Sequence, residues 1–267
     1  MHATAVPITL GPAHELLVPV TIDGTPLVFQ LDTGASTTTI TPTTRDRVHA
    51  QTGLVGVAGD GAAGRIPHVD RAGLGSVAVA GLELRGLHAA VIALDTPGVD
   101  GLLGMDVFRF VTTEIDLAQR RFVVHPETGW RTPDLVEVPY TPLDGGQIAI
   151  AVTLDGRPAT AILDVGANQS FANPLAMPGT DRAAREVDAT VGADAHRSHF
   201  RAFDDVALDV GGVSLVASSL LVADLPIFAR LGLRDRPAVI IGADLLAARR
   251  VVIEGRRHRV YLSSRGP

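Results

Sequence analysis

Short runs of apolar and β-branched residues, separated by turn-forming residues, extend along most of the chain. In residues 16–31 two such runs flank Asp23-Gly24, a dipeptide typical of tight hairpin turns. Residues 72–94 and 203–223 contain further runs of this kind, with glycines at the turns. Helices are predicted only over the short segments 106–110 and 243–250. The pattern therefore predicts an all-β fold with a small helical share.

The same pattern occurs twice. Residues 16–35 read LLVPVTIDGTPLVFQLDTGA, and residues 148–167 read IAIAVTLDGRPATAILDVGA, at an offset of 148 − 16 = 132 positions. A second pair of blocks, GLLGMD at 101–106 and VIIGAD at 239–244, matches at an offset of 242 − 104 = 138. Repeated blocks in the same order indicate an internal duplication.

The duplication predicts two similar β-lobes with a cleft between them. The two halves meet in HPETGWRTPD, residues 125–134, whose prolines and glycine indicate a connector. We place the boundary near residue 130, which gives an N-terminal lobe at 1–129 and a C-terminal lobe at 130–267.

Composition narrows the classes of partner. The net charge is −6 and the basic residues are scattered, which argues against a nucleic-acid partner. No apolar run approaches the ~18 residues of a membrane-spanning helix. Cysteine is absent, so disulfides and thiolate chemistry are excluded. The compartment stays open: cytoplasmic, or periplasmic or secreted if a signal peptide has been removed.

Asp32 and Asp164 occupy matching places in the two repeats. Asp32 follows an apolar run and precedes Gly34, which permits a tight backbone path and close approach by another loop. Two such loops facing each other would bring two carboxylates together, where they would share one proton. One carboxylate then acts as a general base on water and the other as an acid towards a carbonyl. This chemistry requires neither a metal nor a cofactor.

The sequence blocks around Asp32 and Asp164 resemble the motifs of a known protein family. Residues 31–36 with 101–104, and residues 163–168 with 240–242, resemble the motifs of the retropepsin-like aspartic peptidases. The chain looks like a single-chain, two-repeat form of that family, similar in outline to the pepsins. The resemblance implies two barrel-like lobes, an endopeptidase acting on peptide or protein substrates, and catalysis by Asp32 and Asp164. Because one chain supplies both aspartates, a monomer is expected.

The resemblance also implies roles for neighbouring residues. Gly34 and Gly166 would offer backbone groups to substrate, and residues 55–69 would form a flap that brings Gly59 and Gly61 over it. Residues 190–203 occupy the equivalent place in the second half. The residues assigned to support of the catalytic loops are Thr33, Ser36, Val165 and Asn168.

Two departures from the family matter for activity. Val165 stands where the family has a hydroxyl residue that helps to lock the two loops together. Ala35 and Ala167 replace hydroxyl residues next to the aspartates in pepsins, so the pKa of the pair is expected to be higher and the rate maximum mildly acidic.

Two alternatives to an enzyme remain open. The first is a non-catalytic peptide-binding module with a degenerate pair of aspartates. The second is a structural β-domain in which the aspartates only form turns.

Other motifs receive ordinary structural interpretations. Residues 59–64, GDGAAG, match the GxGxxG motif of nucleotide-binding sites. That motif functions between a strand and a following helix, and Pro67 opposes a helix at this place. A metal site at Asp194, His196, His199 and Asp204 is disfavoured, because an odd separation places the two histidines on opposite faces of a strand. Asp106 and Asp244 are interpreted as helix caps.

Overall fold

The computed structural model of the chain describes residues 3–61, 64–125, 134–177, 179, 182–191 and 196–264. Strands dominate it, and its helices are short. The strands of the first half are β1 (Thr4–Pro7), β2 (Thr9–Leu10), β3 (Leu16–Ile22), β4 (Thr25–Leu31), β5 (Thr39–Ile40), β6 (Gln51–Gly61), β7 (Gly64–Gly73), β8 (Ser76–Val79), β9 (Leu82–Arg85), β10 (His88–Val91), β11 (Gly101–Leu103), β12 (Thr112–Asp116) and β13 (Arg121–His125). Its helices are α1 (Pro42–Arg47) and α2 (Met105–Phe108).

The second half repeats this series. Its strands are β14 (Leu135–Pro139), β15 (Thr141–Pro142), β16 (Ile148–Leu154), β17 (Arg157–Leu163), β18 (Phe171–Ala172), β19 (Arg185–Val191), β20 (His196–Phe203), β21 (Val206–Val210), β22 (Val213–Ala217), β23 (Leu220–Val222), β24 (Ala238–Ile241), β25 (Arg250–Glu254) and β26 (Arg259–Ser263). Its helices are α3 (Pro226–Arg230) and α4 (Ala243–Leu246), with 3₁₀ turns at Pro174–Ala176 and Gly255–Arg257. The predicted short helices after the two glycine blocks are present as α2 and α4, but α4 ends at Leu246 and Arg250 already begins β25, and α1 and α3 are additional helices that the pattern does not predict.

Each half builds a sheet with the same strand order. The first is β6-β7-β10-β5-β11-β4-β3-β8-β9 and the second is β19-β20-β23-β18-β24-β17-β16-β21-β22. Strands β2 and β15 pair with β3 and β16 at matching edges. The predicted fold class, all-β with two similar lobes, is confirmed.

A third sheet joins the halves. Its order is β1-β13-β12-β25-β26-β14, and the antiparallel pair β12–β25 is the point at which one half meets the other. Its inner side chains, among them Ile115, Phe122 and Ile253, are fully buried in the core that both halves share. The connector residues 126–133 lie outside the described residues, so the boundary near residue 130 stays a prediction.

The predicted hairpin turns form as the sequence indicates. Asp23 and Gly24 have φ of 49° and 79°, and Asp155 and Gly156 have φ of 45° and 76°. Two successive left-handed residues make the turn that matches the twist of paired strands. Each turn aspartate also accepts a hydrogen bond from a neighbouring hairpin, which fixes the strand that leads to the catalytic loop.

No helix in the described part of the chain is long and apolar enough to cross a membrane.

Candidate active site

Asp32 and Asp164 lie directly after β4 and β17, the central strands of the two lobes. The Asp32 N–H donates to Leu103 O at 3.0 Å, and the Asp164 N–H donates to Ile241 O at 2.9 Å. The strands that supply these carbonyls, β11 and β24, run parallel to β4 and β17. The second repeat block of each half therefore holds the backbone of the loop that carries Asp32 or Asp164.

The two carboxyl groups meet. Both accept a hydrogen bond from the Gly34 N–H: Asp32 Oδ1 at 2.9 Å and Asp164 Oδ1 at 3.1 Å. Asp32 Oδ1 also accepts from the Ala35 N–H at 2.8 Å, and Asp164 Oδ1 from the Gly166 N–H at 2.9 Å. The structure thus brings together the two aspartates that the repeat had paired.

Both glycines are required by this close approach. A Cβ atom at position 34 would lie 2.6 Å from Cγ of Asp164, and one at position 166 would lie 2.5 Å from Cγ of Asp32. Neither glycine has a positive φ, so space rather than backbone conformation excludes larger residues here.

Burial and mutual repulsion change the protonation of the pair. Burial raises the pKa of Asp32, against the lowering effect of the Ala35 and Gly34 N–H donors and of Asp164. Burial and the charge of Asp32 raise the pKa of Asp164 to about 7. A pair of this kind titrates in two coupled steps and shares one proton between them.

The Thr33 side chain forms two hydrogen bonds to the backbone of the second loop. Its hydroxyl donates to Leu163 O at 2.7 Å and accepts from the Val165 N–H at 3.0 Å. Thr33 and Val165 are both buried, and Val165 has no hydroxyl with which to return the contact. One arm of the predicted lock is therefore present and the other is absent.

The remaining loop-support residues are arranged differently from Thr33. Ser36 is exposed, and within the described residues its hydroxyl makes no hydrogen bond. Asn168 is partly buried, and its Oδ1 has no partner in the described part of the chain. Support on that side comes instead from Thr38 and Ser170, which follow the two loops at equivalent positions.

Thr38 and Ser170 hydrogen-bond to the aspartates that had been interpreted as helix caps. The hydroxyl of Thr38 donates to Asp106 Oδ1 at 2.7 Å, and that of Ser170 donates to Asp244 Oδ1 at 2.6 Å. The cap interpretation is wrong. The N-cap residues of α2 and α4 are glycines, and neither helix has a side-chain cap hydrogen bond. Each aspartate lies two residues after the N-cap glycine, and its carboxylate accepts from the hydroxyl of Thr38 or Ser170 instead of capping the helix.

Two glutamines that the sequence analysis did not single out also contact the loops. Gln30 Nε2 donates to Gly166 O at 2.8 Å, and Gln147 Nε2 donates to Gly34 O at 3.2 Å. Gln30 could have been noticed, because it is a polar residue in a strand whose neighbours, Phe29 and Leu31, are fully buried.

The predicted flap is a hairpin of β6 and β7 with register shifts along its length. Gly59 pairs with Ile66 and Gly61 with Gly64, while residues 62–63 between them lie outside the described residues. Contact of Gly59 and Gly61 with substrate stays a prediction. The equivalent hairpin of the second half is formed by β19 and β20.

The histidine cluster of that second hairpin is only partly described. His199 contacts Asp188 at 2.9 Å and Glu186 at 2.8 Å, and Asp204 pairs with Arg185. Asp194 and the side chain of His196 lie outside the described part.

The comparisons with known proteins agree with this geometry. Residues 18–107 match the model of a family described as aspartyl protease. No curated protein sequence matches the chain. The chain is similar to the crystal structure of an aspartic proteinase from Irpex lacteus, with a TM-score of 0.67 and 15% identity, covering 98% of this chain and 97% of that one. The first-lobe match and the fold of the whole chain confirm the resemblance to the retropepsin-like aspartic peptidases in their single-chain, two-lobed form.

Proposed function

We propose that the chain is an aspartic endopeptidase that hydrolyses peptide bonds with a water molecule activated by Asp32 and Asp164. The observation that carries this proposal is the meeting of the two carboxyl groups at one backbone donor, the Gly34 N–H. The first-lobe family match and the fold support it.

The electrostatics of the pair suggest a division of roles. The charge of Asp32 is one cause of the raised pKa of Asp164, so we assign the negative charge to Asp32, which takes the proton of the attacking water. Asp164, whose pKa is raised to about 7, gives its proton to the carbonyl oxygen of the scissile bond. The tetrahedral product of water addition then loses the amine: as the C–N bond breaks, Asp32 gives its proton to the nitrogen, and a hydroxyl of the tetrahedral product returns a proton to Asp164 as the new carboxyl forms.

The substrate side of the proposal uses the backbone of the same loops. Gly34 and Gly166 lie beside the carboxylates and are proposed to contact the substrate main chain, with the β6–β7 hairpin as the covering flap. One chain supplies both aspartates, so we propose that a monomer is sufficient for activity.

Digestion of an unfolded protein over a pH series tests the proposal. Wild type is expected to cleave it, and Asp32→Asn and Asp164→Asn are each expected to lose about 10³-fold or more of the rate, because each removes one half of the proton transfer. Asp46→Asn is the matched control, since Asp46 is exposed on α1 and pairs only with the adjacent Arg45 among the described residues. Equal cleavage by wild type and the two active-site variants would refute the proposed endopeptidase activity.

The absence of a hydroxyl at Val165 favours one second candidate function, a peptide-binding module without catalysis. Binding of a statine-type peptide inhibitor by a wild-type protein that cleaves nothing at any pH would support it. The purely structural alternative required carboxylates too far apart to share a proton, and the Gly34 N–H, which donates to both carboxyl groups, argues against it.

A further inference from the structure

Two glutamine side chains cross between the lobes and end on the catalytic loops. Gln30 belongs to β4 of the first half, and its Nε2 donates to the Gly166 carbonyl of the second loop at 2.8 Å. Gln147 immediately precedes β16 of the second half, and its Nε2 donates to the Gly34 carbonyl of the first loop at 3.2 Å. Each loop is therefore contacted by a glutamine from the opposite half.

Each accepting carbonyl shares a peptide group with an N–H that faces a catalytic carboxylate. The peptide between Gly34 and Ala35 donates through the Ala35 N–H to Asp32 Oδ1 at 2.8 Å. The peptide that follows Gly166 donates through the Ala167 N–H to the backbone carbonyl of Asp164 at 3.2 Å, and this N–H also acts to lower the pKa of the Asp164 carboxyl. In a planar trans peptide the C=O and N–H point in opposite directions, so a donor that fixes the oxygen also fixes the direction of the N–H. Hydrogen bonds in series also polarise one another.

We propose that Gln30 and Gln147 are positioning residues that hold these two peptides and so orient the N–H donors of Asp164 and Asp32. The catalytic consequence of this proposal rests on the proposed function, whereas the effect on the carboxylates does not.

The arrangement is not a product of the repeat. At the offset of 132, Gln30 corresponds to Ile162, and Gln147 corresponds to Glu15. Glu15 accepts a hydrogen bond from the Ala13 N–H within its own lobe. Two unrelated positions thus provide the same contact to the two loops, which is unexpected for residues that merely fill the lobe interface.

The Gln147 contact falls on the loop that needs it more. Val165 has no hydroxyl with which to bond the first loop, so Gly34 O is an additional point at which the second lobe can hold that loop. Thr33 and Gln30 together contact the second loop on either side of Asp164.

Packing alone does not account for Gln147. It is 8% exposed, and its Oε1 is buried without a partner among the described residues. A buried acceptor without a partner costs free energy that an apolar residue of similar size would avoid. Gly145 leaves space for the amide, since a Cβ there would lie 2.6 Å from Nε2. The side chain is accommodated for its contact with the loop rather than for burial.

Titration of the carboxyl groups tests the proposal without reference to activity. In protein labelled with ¹³C at the aspartate carboxyls, Asp32→Asn and Asp164→Asn assign the two steps of the pair. Gln30→Leu is expected to raise the upper apparent pKa, and Gln147→Leu the lower one, by roughly 0.5 to 1 unit, because a less well-oriented N–H stabilises the charged form less. Gln119→Leu, at an exposed turn, is the matched control and should change neither.

Unchanged titration in both leucine variants would overturn the proposal, and so would equal shifts with Gln119→Leu. If one variant fails to fold, the other carries the same test on the opposite carboxylate.

Kinetics give a second readout. Both leucine variants are expected to lower kcat about 3- to 10-fold with little change in KM, as expected for misaligned catalytic groups. A rise in KM with kcat unchanged would assign the glutamines to substrate binding and contradict the positioning role. If the wild-type protein cleaves no peptide, the proposed function fails, while the carboxyl titration still decides whether the glutamines position the pair.

Discussion

At the scale of single residues, the two catalytic loops are held unequally. Thr33 donates to and accepts from the backbone of the second loop, at Leu163 O and the Val165 N–H. Val165 has no hydroxyl with which to bond the first loop. The first loop therefore depends on other contacts, one of which comes from the Gln147 amide. The unequal support matches the unequal roles proposed for the two carboxylates.

Removal of the Thr33 hydroxyl is expected to be costly. Thr33→Val keeps the shape of the side chain but leaves the Leu163 carbonyl and the Val165 N–H buried without partners. We expect a loss of about 2 to 4 kcal/mol in the free energy of unfolding, at about 1–3 kcal/mol for each buried group left unpaired. Urea denaturation measures it, with Thr43→Val on the exposed face of α1 as the matched control. A loss no larger than that of the control would show that the lock contributes nothing.

The pairing of the aspartates could be predicted from the sequence, and the contacts of the glutamines with the opposite loops could not. Asp32 and Asp164 stand at one fixed offset within matching motifs, and a duplication folds matching motifs in the same way. Gln30 and Gln147 have no such correspondence, and their contacts run between lobes whose relative placement no local pattern encodes. Ser36 was assigned to loop support from its neighbourhood in the sequence, but the hydroxyl that makes the contact is two residues further on, in Thr38.

At the scale of elements, each catalytic loop is backed by a short strand and a one-turn helix. The Met105 N–H donates to Ala35 O at 2.8 Å, and the Ala243 N–H donates to Ala167 O at 2.8 Å. Between strand and helix lie Gly104 and Gly242, each in extended conformation and pressed against the loop. The glycine of each block is thus the point at which the support touches the loop.

A side chain at that point should displace the loop. A Cβ at position 104 would lie 2.6 Å from the carbonyl carbon of Thr37. This carbon belongs to the backbone, so no side-chain rotation can relieve the clash. Gly104→Ala is therefore expected to destabilise the fold by about 1–3 kcal/mol, as overpacking does in cores, and to lower kcat/KM. Gly53→Ala in β6 is the matched control, because its Cβ would meet nothing within 4 Å and its φ is not positive. Equal thermal midpoints for the two variants would contradict the role of Gly104.

At the scale of the whole molecule, the buried carboxylate pair links stability to pH. Asp164 has a pKa raised to about 7, against a usual value of 3.8, so the folded state binds more protons than the unfolded state between these values. Stability from this group is fully present below about pH 4 and is lost as the pH rises through about 7.

Unfolding measurements at several pH values test this linkage. Relative to Asp164→Asn, wild type is expected to lose about 2 kcal/mol or more between pH 4 and pH 7, at about 1.4 kcal/mol for each unit of pKa difference. The comparison with the variant is necessary because Glu114, whose pKa is lowered mainly by a hydrogen bond from His125, acts in the opposite direction. If the free energy of unfolding changes with pH in the same way for wild type and Asp164→Asn, the raised pKa of Asp164 is refuted. The same pKa predicts a rate maximum in the mildly acidic range, between about pH 4 and pH 6.

The pairing of β12 with β25 has a consequence for how the protein acquires its site. These strands are separated by more than a hundred residues, and so are the two aspartates, so neither the joining sheet nor the carboxylate pair can form from a contiguous stretch of chain. Contacts this distant close slowly, because the entropy of a long loop is lost before they form. During synthesis the first lobe emerges with Asp32 but without its partner carboxylate. The proposed peptidase activity is therefore expected only after the last strands, β25 and β26, have been made and docked.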